Sequence, residues 1–214
     1  MMTKTSKIVA LRNNVKMRKV VAGIIFAFAL YSVVKMFFEP SFMDVIANFK
    51  YFTNISNLLI MVVLGLYLFD FQEKNWFKYI ALIALVNILM TGIIYHLLVN
   101  GISQFGQVTF DSHIKHTVNP VLYPIFFYLL VSPSVKLSKF WVTMIFPLAY
   151  FLFFVAFGQI IEPPYNFMNP YANGNTLISV LTFCLLVLLP VIAVFTLGLM
   201  ALKRWEEKKI ATQK

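Results

Sequence analysis

Six apolar stretches run through the chain, and each is long enough to cross a lipid bilayer. They lie at about residues 20–38, 54–71, 77–99, 115–132, 140–161 and 175–202. A crossing takes about 20 apolar residues, because the hydrocarbon core is roughly 30 Å thick and an α-helix rises about 1.5 Å per residue. Hydrophobic residues make up 60% of the chain and charged residues 12%, which leaves no polar stretch long enough for a separate soluble domain. The sequence therefore predicts an all-α integral membrane protein, in which residues 1–214 form a single domain of six transmembrane helices.

Lysine and arginine are distributed unevenly over the two sides of this predicted domain. Fifteen of the 18 precede the first span, follow the last, lie in the loops after the second and fourth spans, or, as Lys78 does, stand at the start of the third span on the same side. Only Lys35, Lys50 and Lys115 fall on the other side. Because cytoplasmic loops are enriched in lysine and arginine, we expect both termini to be cytoplasmic. This placement accounts for the net charge of +10 without a nucleic-acid partner, and none is expected.

Polar and ionisable side chains gather where the predicted spans meet the outer surface. The set comprises Thr53, Asn54, Ser56 and Asn57 in the second span, Tyr95 and His96 in the third, His113, His116 and Asn119 at the fourth, and Tyr165 in the loop before the sixth. Such groups are costly near hydrocarbon unless they face a protein interior or a water-filled cavity. The cluster therefore indicates a functional site in this outer layer.

Thr53 and His116 are the residues in this layer that together predict chemistry. A threonine hydroxyl is a weak nucleophile until a base takes its proton, and histidine has the pKa best suited to that task. Spans two and four both start from the outer side, so their free N–H groups converge on this layer and could stabilise an oxyanion. Asn54, Ser56 and Asn57 are the side-chain candidates for the same role.

Simpler interpretations of two of these residues stay open at this point. Thr53 could be only the N-cap of the second span, since threonine is a favoured cap residue. His96 follows Tyr95 at an interfacial depth, where an aromatic-belt role is about as reasonable as a supporting role in catalysis.

A metal site is the other interpretation of the histidines. His113 and His116, with Asp111 or Glu162, could bind zinc, but no HExxH or similar signature is present. Cys184 is the only cysteine, which excludes a cysteine cage and an internal disulfide. We expect neither a metal nor another cofactor.

Four segments together resemble a known family. They are "KYFTNISNLL", "GIIYHLLVNG", "HIKHTVNPVL" and "PPYNFMNPYANG". In order and spacing they are similar to the bacterial six-span proteins related to the androgen-induced gene and androgen-dependent TFPI-regulating protein family. The resemblance covers most of the chain from the second span onward.

The resemblance implies an activity and two catalytic residues. Animal members of the family hydrolyse fatty acid esters of hydroxy fatty acids, with a threonine in a Phe-x-Thr motif and a histidine in a His-Thr motif. Phe52-Thr53 looks like the first motif without its intervening residue, and His116-Thr117 looks like the second. By this resemblance Thr53 is the nucleophile and His116 its base, acting on a lipid ester from the outer leaflet of a bacterial plasma membrane.

Other functions remain compatible with the sequence. Acyl transfer differs from hydrolysis only in the alcohol that replaces water. A non-catalytic carrier or binding protein could use the same polar layer to recognise a lipid headgroup or a small solute. In a structural subunit the polar layer would be a contact surface.

Overall fold

The computed structural model describes residues 4–99, 108–172 and 174–212, and every regular element in them is helical. The α-helices are α1 Lys4–Asn13, α2 Val15–Lys35, α3 Phe42–Asn48, α4 Phe52–Leu68, α5 Phe77–Ile94, α6 Phe110–His113, α7 Asn119–Leu130, α8 Ile145–Phe157, α9 Leu177–Thr182 and α10 Leu189–Ala211. Three π-helical segments continue or join them, at Tyr95–Val99, Ile114–Val118 and Phe183–Leu188. Short 3₁₀ segments lie at Phe71–Glu73, Leu137–Met144 and Asn166–Met168.

The all-α, multi-pass membrane prediction is confirmed in its coarse form. Within the described residues, four helices are long and apolar enough to cross a membrane, namely Val15–Lys35, Phe77–Leu97, Leu137–Phe157 and Leu177–Ala211. The pair α3 and α4, bent by 83°, makes a fifth candidate if it is counted as one span. The predicted fourth span, 115–132, corresponds to the contiguous helical segments from Phe110 to Leu130.

Helix ends differ from the predicted span ends by a few residues, for local reasons. Helix α2 begins at Val15 because the Asn14 side chain accepts a hydrogen bond from the N–H of Met17 and so caps the first turn. Helix α10 continues to Ala211 because lysine, arginine and glutamate are good helix formers although they end the apolar stretch. Hydropathy therefore located the spans but not the helix termini.

The chain divides into two compact units, and the first contains the candidate site. It comprises the residues up to Val135 together with those from Leu202 onward. Helix α2 packs closely on α4, helped by small side chains on α2, since Ala22 and Ala29 are fully buried. Helices α5 and α7 complete this packing, with Tyr123 fully buried between them and its hydroxyl donating to the carbonyl of Ala81 at 3.2 Å.

The second unit comprises Lys136–Ala201. One of its buried polar contacts is a hydrogen bond of 3.1 Å between the hydroxyls of Thr143 and Thr196. Tyr165, the site candidate from the loop before the last span, belongs to this unit, where its ring stacks on Phe167 with 5.6 Å between centroids.

Candidate functional site

Thr53 lies at the start of α4, directly after the sharp corner between α3 and α4. Asn48 holds the corner through its side-chain NH₂, which donates to the carbonyl of Met36 and to the Glu39 carboxylate, both at 3.0 Å. Asn54 closes it from the other side by donating to the carbonyl of Asn48 at 2.9 Å. Asn54 is therefore a residue that positions the start of α4.

Thr53 lies inside the first turn of α4 and does not cap it. The helix begins at Phe52, and the residue before it is Tyr51, which makes no side-chain cap bond. The N-cap interpretation of Thr53 is therefore wrong. Its side chain is half-buried, and its hydroxyl makes no hydrogen bond to any residue that the structure describes.

A buried network of amides and hydroxyls lies directly beneath Thr53. The NH₂ group of Asn119 donates to the hydroxyl of Ser32 at 2.8 Å and to the side-chain oxygen of Asn57 at 2.6 Å. All three side chains are fully buried, and they come from α2, α4 and α7. Since buried polar groups are costly unless they are hydrogen-bonded, this network fixes the three helices in one arrangement.

Asn57 also connects the Thr53 segment to the histidine segment. Its NH₂ group donates to the carbonyl of Thr53 at 2.8 Å and to the carbonyl of Lys115 at 3.4 Å. The two carbonyl oxygens therefore lie within the reach of one amide group. The structure thus brings the backbone of Thr53 next to Lys115, the residue that precedes His116, although Thr53 and Lys115 are 62 positions apart in the sequence.

Two π-helical segments face each other and carry most of the remaining site candidates. His96 in the first segment bonds the Thr117 hydroxyl in the second, with 3.0 Å between Nε2 and Oγ1. The Tyr95 and His116 rings stack with 3.6 Å between centroids and 14° between planes. A π turn is rare and is frequently found at functional sites, because it changes the direction of the side chains on its helix.

Gly92 allows these two segments to approach so closely. A Cβ at this position would lie 2.9 Å from the Pro120 Cβ and 3.1 Å from the His116 carbonyl oxygen. The Tyr95 hydroxyl adds a hydrogen bond of 2.9 Å to Ser112. Close backbone contact and ring stacking together restrict the orientation of the His116 imidazole.

The His116 imidazole is half-buried beside the Thr53 segment. Its Nδ1 is buried and has no hydrogen-bond partner among the described residues. In a neutral imidazole one ring nitrogen carries the proton and the other can accept one. No hydrogen bond joins the described His116 ring to the Thr53 hydroxyl.

The side-chain candidates for oxyanion binding differ in whether their hydrogen-bond donors already have partners. The NH₂ groups of Asn54 and Asn57 already donate to backbone carbonyls. The Ser56 hydroxyl is buried and has no partner within the described part of the chain. Of these three candidates, Ser56 is therefore the one whose hydroxyl could still donate a hydrogen bond to an oxyanion.

The histidines and acids considered for zinc lie in α6, in the π-helical segment that follows it and in the loop after α8. Among residues 4–99, 108–172 and 174–212, no three histidine, cysteine, aspartate or glutamate side chains lie close enough together to hold a metal ion. Asp111 instead pairs with Lys115 at 3.0 Å, and His113 lies half-buried at the end of α6. Asn100 and Asn173, which belong to the segments that carry the family resemblance, lie outside the described residues.

Ser32 was not among the residues that the sequence singled out for this layer, although it lies in the middle of an apolar span. A lone serine in a predicted span is a usable signal, because its hydroxyl must find a partner there. Thr117 was noted only as part of the His-Thr motif, and its contact with His96 was not expected.

Comparisons with known proteins do not supply a family or a function. No protein-family model matches the chain, and no curated protein and no solved structure matches it either.

Proposed function

We propose that this protein is an intramembrane hydrolase that cleaves a lipid ester, with Thr53 as nucleophile and His116 as general base. One observation supports this most strongly. The His116 ring stacks on Tyr95, its Nδ1 has no partner among the described residues, and Asn57 ties the neighbouring backbone of Lys115 to that of Thr53. A nucleophile next to an oriented base is the signature of covalent catalysis. The family resemblance assigns the same two residues to the same roles.

The proposed reaction has two steps. The Thr53 oxygen attacks the acyl carbonyl while His116 takes the hydroxyl proton, and His116 then returns this proton to the leaving alcohol. Water activated by His116 next attacks the acyl-threonine, which releases the fatty acid and restores the hydroxyl. This mechanism requires the Thr53 hydroxyl to come within hydrogen-bond distance of His116 when the ester binds. If a second alcohol replaces water, the same intermediate leads to acyl transfer.

The start of α4 supplies donors for the oxyanion. The N–H groups of Asn54 and Ile55 donate to the carbonyl of Tyr51, whereas the N–H of Thr53 has no backbone partner among the residues that the structure describes. This N–H and the Ser56 hydroxyl are suited to bind the negative oxygen that forms in the first step. Both belong to the first turns of one rigid helix, so they need no reorganisation during the reaction.

The proposed substrate is a fatty acid ester of a hydroxy fatty acid or a similar lipid ester taken from the outer leaflet. We propose six crossings with both termini in the cytoplasm of a bacterium. The predicted fourth span is the one not already among the five candidates. Its contiguous helix from Phe110 to Leu130 supports counting it as a crossing, because at about 1.5 Å per residue the helix is about as long as the hydrocarbon core is thick. The lysine and arginine distribution supports the orientation.

Active-site labelling tests the proposal directly. The detergent-purified protein is treated with a lipid-like fluorophosphonate, and the modified residue is mapped by mass spectrometry. We expect an adduct on Thr53 that is lost in His116→Ala. Thr53→Ser should retain labelling and turnover of a lipid ester, whereas Thr53→Val, which keeps the shape and removes the hydroxyl, should lose both.

A folded protein that gives no adduct, or equal ester turnover in Thr53→Val and wild type, would overturn the proposed mechanism. Circular dichroism and thermal unfolding of each variant establish that loss of activity is not loss of fold. Analysis of the products with and without an added alcohol separates hydrolysis from acyl transfer.

A lipid-binding or carrier function is the second candidate. The observation that favours it is the missing hydrogen bond between Thr53 and His116, together with the commitment of Asn54 and Asn57 to backbone carbonyls. Under this alternative, lipid binding survives in Thr53→Val and no covalent adduct forms.

A further inference from the structure

The last two turns of α10 present two faces of opposite character. One face, buried or half-buried within the first unit, carries Lys203, Glu206, Glu207 and Ile210. The outer face carries a different set of side chains, all of them exposed: Arg204, Trp205, Lys208 and Lys209. The spacing of three and four residues within each set is that of one helix face.

The inner face neutralises its own charges. Lys203 is only 2% exposed, and its Nζ pairs with Glu206 at 3.2 Å and with Glu207 at 3.1 Å. Arg12 from α1 also pairs with Glu207, at 3.1 Å. Lys203 and Arg12 donate in addition to the carbonyl of Tyr128 in the last turn of α7, at 2.7 Å and 3.0 Å. Two cations and two carboxylates thus balance inside the protein.

The outer face is left with an uncompensated positive charge. Arg204, Lys208 and Lys209 make no ion pair with any acidic residue that the structure describes. Lys209 lies over the Trp205 ring, with 3.6 Å between Nζ and the centroid, while Trp205 itself is 56% exposed. The only acids of this helix segment, Glu206 and Glu207, are both used by the inner face.

Helix length places this outer face at the membrane surface. The helix from Leu177 to Ala211 has 35 residues, which corresponds to about 52 Å. This exceeds the roughly 30 Å of hydrocarbon, so the charged end extends into the headgroup region. Tryptophan is enriched at that depth, and lysine and arginine there attract anionic lipids.

We propose that Arg204, Trp205, Lys208 and Lys209 form a binding site for the headgroups of anionic phospholipids. Trp205 would lie at the level of the ester groups, and the three cations would contact phosphate oxygens. The inner network of Lys203 and its two glutamates makes this possible, since it removes the carboxylates that would otherwise compete. This proposal rests on the membrane class of the protein and is independent of the proposed hydrolase activity.

The experiment compares two triple variants of the full chain. Arg204→Gln/Lys208→Gln/Lys209→Gln removes the outer cations, and Lys74→Gln/Lys136→Gln/Lys139→Gln removes three other exposed cations with the same change in net charge. Each protein is purified in a neutral detergent, and binding of phosphatidylglycerol and phosphatidylcholine is measured by native mass spectrometry over a range of salt concentrations.

Each basic residue near an anionic surface changes binding by about fivefold. We therefore expect the first variant to lose at least tenfold in affinity for phosphatidylglycerol and to lose its salt dependence, with little change for phosphatidylcholine. The second variant should stay within about threefold of wild type. Equal losses in both variants would show a general effect of net charge, and an unchanged affinity in the first would show that lipid binds elsewhere. Either result would overturn the proposed site.

Discussion

The buried contact between Asn119 and its two partners permits a quantitative test of what holds the site together. Replacing Asn119 by leucine keeps a similar volume and removes the NH₂ group that reaches Ser32 at 2.8 Å and Asn57 at 2.6 Å. Interhelical hydrogen bonds in membrane proteins are worth about 0.6 kcal/mol each on average. Leaving the buried Asn57 oxygen without its donor adds a cost of about 1–3 kcal/mol. We therefore expect Asn119→Leu to lower the free energy of unfolding by about 2–4 kcal/mol.

Reversible unfolding in mixed micelles with increasing sodium dodecyl sulfate measures this free energy. The matched control is Asn75→Leu, an exposed asparagine in the turn before α5, which should change stability by no more than about 0.5 kcal/mol. Adding Ser32→Ala to each background gives a double-mutant cycle, and a coupling of about 0.5–1 kcal/mol is expected. If Asn119→Leu costs no more than Asn75→Leu, the network does not stabilise the helix arrangement and our reasoning about it fails.

Two further predictions concern close packing and pH. Gly92→Ala should lower the free energy of unfolding by about 1–3 kcal/mol in the same assay, because the new Cβ would lie 2.9 Å from the Pro120 Cβ. Gly23→Ala is the control: a Cβ there has nothing within 4 Å, so stability should be unchanged or slightly raised. An unchanged stability in Gly92→Ala would mean that the two π-helical segments can move apart at little cost. Hydrogen bonds from Lys19 and Gln72 lower the pKa of Asp70, so its contribution to stability is present above the ordinary pKa of an aspartate and is lost as pH falls through the lowered value. Thermal unfolding of wild type and Asp70→Asn should therefore converge at acidic pH, and a difference that persists there would contradict this.

The predicted spans were close to the helices because the lipid restricts the choice so strongly. A backbone in hydrocarbon must satisfy its hydrogen bonds internally, so a long apolar stretch is read as a helix with little ambiguity. The apolar helices confirm the membrane class, while the number of crossings and the orientation remain proposals. The N-cap interpretation of Thr53 was wrong because the corner held by Asn48 and Asn54 starts α4 earlier than hydropathy indicates.

The candidate site could be predicted only as a set of residue types at one depth. The sequence pointed to the pairing of Thr53 with His116, but not to the ring stacking on Tyr95 or the uncommitted Nδ1. It also treated Asn54 and Asn57 as oxyanion donors, whereas both donate to backbone carbonyls. A side-chain NH₂ group can bind an oxyanion only if no backbone carbonyl already accepts its hydrogen bond. Helix packing decides which carbonyls lie within about 3 Å of it.

The sequence by itself determined that this chain is helical, that it belongs in a membrane, and roughly where its spans lie, because these properties depend on the length and polarity of contiguous stretches. Only the tertiary structure decided which polar groups meet. Ser32 bonds Asn119 across 87 positions and Asn57 reaches Lys115 across 58. Contacts over such distances follow from close packing of α2, α4 and α7, and no local period in the sequence encodes them.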